Sequence, residues 1–248
     1  MKLVIDRATK LAGPSVGKSA FTAAELSAIA DNLNAAGRWS DIRDGALLFL
    51  TVRGLLRAAE IVALSWKDIV TKWLPHPNDV KRKDNENIRA ITVFIRSSKT
   101  DQIGEGRTVV IAEDWESPSL CAISWLERWQ KMLHTTLDIK SQWIFPCLSN
   151  DDKWDTPLSP KTVSHRVKGL AKSIGRDYHD IGSHSGRKTG ATLMVQAGVE
   201  LAQLKEHGRW KSDAVHVYYK PNEAQKLAPS LALSASLGSG LQVHPMKK

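Results

Sequence analysis

Apolar residues along this chain recur at two spacings, and the two spacings come in blocks. Leu26, Ile29, Ala30 and Leu33 fall three and four apart, the period of an amphipathic helix. Thr22 and Glu25 stand just before them as a capping box, so the pattern predicts a helix over about 22–35. Ile42, Ala46, Leu47, Leu50 and Leu55 predict a second helix over about 41–56. A short third, over 57–64, follows a turn and sets Arg57 and Glu60 on one face. The spacing then changes. Residues 68–74, 89–96 and 107–111 are dense in β-branched side chains and predict a small three-stranded antiparallel sheet. Polar residues over 75–88 read as a loop, and 97–101 as a turn carrying Lys99.

Helical spacing returns after Pro118, where Leu120, Ile123, Leu126, Trp129 and Leu133 make one stripe to about 134. A short apolar segment, 143–147, precedes a polar stretch over 148–158. Ser159 and Pro160 then form an N-cap and first-turn pair for a helix to about 174. That helix carries Val163, Val167, Leu170 and Ile174 on one side. Lys161, His165, Arg166, Lys168 and Lys172 decorate the others. Two readings of this basic face stand side by side: a track for a nucleic-acid backbone, and a solvated helix surface. Ser183 is placed to cap a further helix holding His184 and Arg187, and Gly198 parts two helical segments over 196–207 in a weak helix–turn–helix pattern. Leu227, Leu231, Leu233 and Leu237 lie among Ala and Ser in 222–241, which predicts a helix with little polar face that wants an apolar groove, on its own subunit or on a neighbour. The fold class is therefore α+β, mainly α-helical with a small three-stranded antiparallel sheet. An arm or linker (1–20) leads into a main domain (21–221), and a C-terminal helix with a flexible tail (222–248) follows.

Composition narrows the function classes. The chain has 248 residues, 42% of them hydrophobic and 25% charged, as soluble globular proteins do. The 35 basic and 26 acidic residues leave a net charge of +9, which suits a nucleic-acid partner. Cys121 and Cys147 have no metal-ligand spacing and read as reduced, partly buried thiols of a cytoplasmic protein. No run of 18 apolar residues predicts a membrane span, and the first ten residues lack the apolar centre of a signal peptide. Most of the nine tryptophans are expected in the core. Gly13 to Ser19 imitates a phosphate-binding loop but has three residues between its glycines where four are needed.

The chemistry concentrates in residues 183–219. His184 and Arg187 are three apart, Trp210 follows 23 residues after Arg187, and Tyr219 follows Trp210 by nine. A base, a guanidinium, an indole donor and a phenol in one region suggest phosphate chemistry. Arg57, flanked by Leu55, Leu56, Ile61 and Val62, adds a second, half-buried guanidinium. His179, Asp180 and His184 lack a further ligand for a metal site.

In order, Arg57-x-x-Glu60, Lys99, His184-x-x-Arg187, Trp210 and Tyr219 resemble the boxes of the tyrosine recombinase (phage integrase) family, over roughly residues 20–235. The resemblance makes 21–221 the catalytic domain and implies a site-specific DNA recombinase or integrase acting on double-stranded DNA. Tyr219 would be the nucleophile that forms a 3′-phosphotyrosyl bond. Arg57 and Arg187 would hold the non-bridging phosphate oxygens, and His184 would assist proton removal. Lys99 would protonate the leaving 5′ oxygen, Trp210 would donate its indole N–H or wall the site, and Glu60 would orient its neighbours. His207 also lies near the His/Trp position, and Tyr218 adjoins Tyr219; the nine-residue step selects Trp210 and Tyr219 and leaves Tyr218 to packing. No cofactor or metal is implied. Dimers or tetramers on DNA, joined through the C-terminal segment, are. Family members also carry an N-terminal DNA-clamping domain, while about 20 residues precede the catalytic part here. That reads as a fragment of a longer integrase or as a minimal form. A non-cleaving DNA-binding protein and a type IB topoisomerase are the competing readings.

Overall fold

The computed structural model describes residues 18–75, 87–96, 106–148 and 156–218, with four positions of a C-terminal helical segment, Leu227, Ser230, Leu231 and Leu233. Lys99, Tyr219, the arm up to residue 17 and most of 222–248 lie outside the described residues.

Helix α1 (Ala23–Ala36) opens on the predicted box: the Glu25 N–H donates to the Thr22 hydroxyl at 3.2 Å, and the Thr22 N–H donates to the Glu25 carboxylate at 2.7 Å. It buries Leu26, Ile29, Ala30 and Leu33, the residues whose spacing predicted it. Helix α2 (Trp39–Arg53) is the central element and is buried on every side from Asp41 to Val52. An all-round buried helix must satisfy its polar groups internally. Arg43 accordingly forks onto Asp44 at 2.7 and 2.9 Å, and the Thr51 hydroxyl donates to the Leu47 carbonyl at 2.7 Å. The helix ends at Arg53, three residues before the predicted stop, because Leu55 turns into the left-handed region with φ of 46°. Helix α3 (Ala58–Val62) starts at once, with Arg57 as its N-cap.

Strands β1 (Ile69–Leu74), β2 (Ile88–Ile95) and β3 (Arg107–Ala112) form the predicted antiparallel sheet in the order β1-β2-β3. The pairing Ile91↔Ile111 and Val93↔Val109 puts these four side chains on the buried face. The opposite face leaves Val70, Phe94 and Val110 exposed. After a 3₁₀ turn (Pro118–Leu120) comes α4 (Ala122–Lys131), which relaxes into a π turn (Met132–Thr136). The sequence stripe there is correct, but it runs through three helix types rather than one. Trp125 and Trp129 of α4 are fully buried against α2 and the 143–147 segment, where the Trp129 indole donates to the Ile144 carbonyl at 2.6 Å. Trp125, Trp129 and Trp210 are buried and Trp66 and Trp143 half-buried, whereas Trp39, Trp73 and Trp115 are exposed.

Helix α5 (Pro160–Ser173) has the predicted Ser159 cap, its hydroxyl accepting from the Thr162 N–H at 3.1 Å. Helix α6 (Ser185–Gln196) departs from expectation at its start. His184, not Ser183, is the N-cap, and it makes no side-chain cap bond. The Ser185 hydroxyl instead accepts from the Gly182 N–H at 3.0 Å and closes the preceding turn. Helix α7 (Leu201–His207) follows Gly198, whose φ of 87° makes the bend. A 3₁₀ turn (Asp213–Val217) leads to Tyr218.

Helix α6 packs directly on α2. A Cβ at Gly190 would fall 2.0 Å from the Val52 carbonyl oxygen, so only glycine permits this approach. The close contact carries Arg187 to the end of α2. Two apolar clusters result: a large one around α2, and a small one of Leu55, Ala191, Val195, Leu204, Trp210 and Val215. The small cluster floors the region where the predicted site residues meet. No helix among the described residues is long and apolar enough to cross a membrane.

Candidate active site

The site is built where the α2–α3 junction meets the start of α6 and the end of α7. Arg57 and Glu60 interlock across the first turn of α3. The Arg57 backbone N–H donates to one Glu60 oxygen at 2.8 Å, and its guanidinium donates to the other at 2.5 Å. These side chains are 19% and 2% exposed, so Glu60 is buried and Arg57 is half-buried, as the sequence predicted, with one edge exposed. Burial opposes the charge on Glu60, yet Arg209 and then Arg57 outweigh it and hold the carboxyl below its ordinary range.

Arg187 is buried in the first turn of α6. It donates to the backbone carbonyls of Leu55 and Gly208, so it bridges the two chain segments that flank the site. Its guanidinium carbon lies 4.2 Å from the centre of the Trp210 ring, a cation–π contact. Burial, and then the charges of Arg57 and Arg209, pull its pKa down to about 9, still protonated at neutral pH. Trp210 is buried, and Tyr218 leans on it with ring centres 5.4 Å apart. His207 competes with Trp210 for the same role in sequence, but its Nε2 is tied to the Arg53 carbonyl at 2.8 Å, and burial lowers its pKa. His184 stands exposed at the mouth of α6, three residues before Arg187.

Arg57, Glu60, Arg187 and Trp210 are thus brought together, with His184 close by in sequence at the surface. Lys99 and Tyr219 are outside the described residues. Sequence reasoning missed Arg209. It is 3% exposed and donates to Glu60 at 3.0 Å, so three guanidiniums (Arg57, Arg187 and Arg209) gather around one carboxylate. The only sequence signal was its place between Gly208 and Trp210. Three positive charges and one negative leave a surplus of two in a largely desolvated place, which favours an anion.

On α5, Lys161, His165 and Lys172 are exposed, while Arg166 and Lys168 are half-buried. Arg166 sits 4.0 Å from Asp44 of the central helix, so part of this basic face is turned to the protein rather than to solvent.

Comparison with known proteins agrees with this geometry. The model of the phage integrase family matches residues 19–226. An integrase/recombinase xerD homolog from Selenomonas ruminantium is 27% identical over 203 residues, covering 82% of this chain and 54% of that protein. The XerH site-specific recombinase, solved bound to palindromic difH substrate as a post-cleavage complex, superposes with a TM-score of 0.59 at 17% identity, over 88% of this chain and 54% of that one. A lambda integrase dimer bound to a COC′ core site gives 0.55 at 19% identity, over 86% and 51%. At such identities these structures show the fold. The chain spans about half the length of the relatives it matches. With a family model covering most of its length and the arginine boxes meeting in one place, the chain belongs to the phage integrase family.

Proposed function

We propose that this chain is the catalytic part of a site-specific DNA recombinase. It cuts and rejoins double-stranded DNA through a 3′-phosphotyrosyl bond at Tyr219, without a metal ion. The observation that carries the reading is the surplus of guanidinium charge around Glu60. A phosphodiester repels an incoming nucleophile, and its transition state places more charge on the non-bridging oxygens. A guanidinium has five N–H donors. Toward the described residues, Arg57 gives one N–H of its guanidinium to Glu60 and Arg187 gives two to carbonyls, so neither fork is used up. Such donors are fixed before the reaction and gain strength from the dry surroundings.

Tyr219 would attack phosphorus and release the 5′-hydroxyl. The covalent bond stores the phosphodiester energy, so the strand is rejoined without a nucleotide. A free tyrosine has a pKa of about 10, and His184 at the open mouth of α6 is the group to take its proton. Lys99 protonates the departing 5′ oxygen. Tyr218, half-buried against Trp210, is occupied with packing, which supports its neighbour as the nucleophile. Trp210 walls the cleft beside Arg187. The exposed Leu227, Leu231 and Leu233 of the C-terminal segment suit docking between protomers on DNA.

The test is incubation with a nicked suicide duplex that carries the sequence flanking the native locus, in the presence of a chelator, followed by a denaturing gel. The reading predicts a protein–DNA adduct that survives denaturation. DNA binding without an adduct would assign the non-cleaving alternative.

A further inference from the structure

Arg209 occupies a backbone position that normally suits glycine. Its φ is 58°, in the left-handed region that side chains other than glycine, asparagine and aspartate seldom enter. Strain of this kind persists where the surrounding structure over-determines it, and here the side chain supplies the reason. Nη1 donates to the carbonyls of Gly54 at 3.1 Å and His207 at 3.0 Å, and Nη2 donates to the Leu55 carbonyl at 2.9 Å and to Glu60 at 3.0 Å. One guanidinium therefore ties the end of α2, the start of α3 and the end of α7. Leu55 is itself left-handed at φ of 46°, and its carbonyl receives Arg187 as well as Arg209. Two strained residues are thus locked to each other beside Arg187 and Glu60.

Arg209 presents no accessible donor to a ligand. Four of its five N–H groups are spent on protein acceptors, and the fifth, on Nε, is buried with no partner among the described residues. Arg57 is the opposite case, with an exposed edge and one guanidinium bond to Glu60. Glu60 is the link, since the oxygen that accepts from Arg209 also accepts from the Arg57 backbone, and its other oxygen holds the Arg57 guanidinium.

We propose that Arg209 is a positioning residue: by clamping Glu60 and the Gly54–Leu55 backbone it fixes the Arg57 guanidinium in the orientation that takes a phosphate oxygen. The proposal rests on the reading of the cleft as a phosphate site. It is tested with two readouts on the full chain. One is the Arg57 Nε–H resonance in the ligand-free protein, assigned by its loss in Arg57→Lys. The other is the dissociation constant for inorganic phosphate. Arg209→Gly keeps the backbone at ease and removes the fork, and Arg209→Lys keeps the charge and removes the fork. In both, the Arg57 resonance should move to the position of a solvated arginine, and phosphate binding should weaken tenfold or more. On an Arg57→Ala background, Arg209→Gly should add less than twofold. An unmoved Arg57 resonance, full recovery by lysine, or an equal loss on the Arg57→Ala background would overturn the proposal. A wild-type chain that fails to bind phosphate while its Arg57 resonance responds to Arg209→Gly would sink the phosphate reading and leave the clamp standing. If Arg209→Gly does not fold, Arg209→Lys and Arg209→Gln carry the same comparison.

Discussion

Glu60 has exchanged water for two arginines, and the site depends on that exchange. Removing one partner of a buried charge cluster leaves the rest uncompensated, at a cost of about 3–5 kcal/mol. Glu60→Gln should therefore lower the stability of the fold by that order, as read by denaturant unfolding at neutral pH. The pH dependence separates charge from shape. The carboxyl titrates lower in the folded chain than its ordinary value, so its contribution is complete above about pH 4.3 and is lost as pH falls through the lower folded value. The stabilities of wild type and Glu60→Gln should converge in acid, and a constant gap down to pH 2 would mean that charge is not the cause. The pairing of Arg57 with Glu60 was legible in the sequence because both lie within one helical turn. Arg209 was not. Its acceptors are Glu60 and backbone carbonyls, most of them about 150 residues away, and no spacing rule reaches that far.

At the scale of elements, periodicity carried most of the fold. Among the described residues each predicted helix and strand with a clear apolar period exists. The buried residues of α1 are those the period named, while α5 buries Val163, Val167 and Leu170 as named but Ala171 in place of Ile174, which caps the helix half-buried. The errors fall at helix ends, where tertiary bonds decide. Helix α2 stops early because the Leu55 carbonyl is turned toward two arginines, and α6 takes His184 rather than Ser183 as its N-cap, with the Ser185 hydroxyl closing the preceding turn. The backbone contact between α2 and α6 was also invisible, since it depends on the missing side chain of Gly190. Gly190→Ala would force the helices apart and should cost about 1–3 kcal/mol, as overpacked cores do. Gly169→Ala, on the open side of α5 with nothing within 4 Å of the added carbon, should instead stabilise by up to about 1 kcal/mol. Thermal unfolding of the pair checks both signs. If Gly190→Ala unfolds like wild type, the helices do not touch as described.

The whole molecule carries a net charge of +9, and its proposed partner is a polyanion. Counterion release then makes binding fall steeply between about 50 and 200 mM salt, by roughly 10³-fold for six phosphate contacts. Lys161→Glu with Lys172→Glu, both on exposed positions of α5, should weaken duplex binding for every sequence and flatten the salt slope. An unchanged slope would make that face a solvated surface. The central claim, that the guanidinium cleft serves a tyrosine nucleophile, is tested most directly by the covalent adduct on nicked duplex DNA across three variants. Tyr219→Phe should abolish it with DNA affinity kept within a few-fold. Tyr218→Phe should retain it, and Arg187→Ala should slow it by about 10²–10³-fold. An adduct that survives Tyr219→Phe and vanishes in Tyr218→Phe, or one indifferent to Arg187→Ala, would contradict the account.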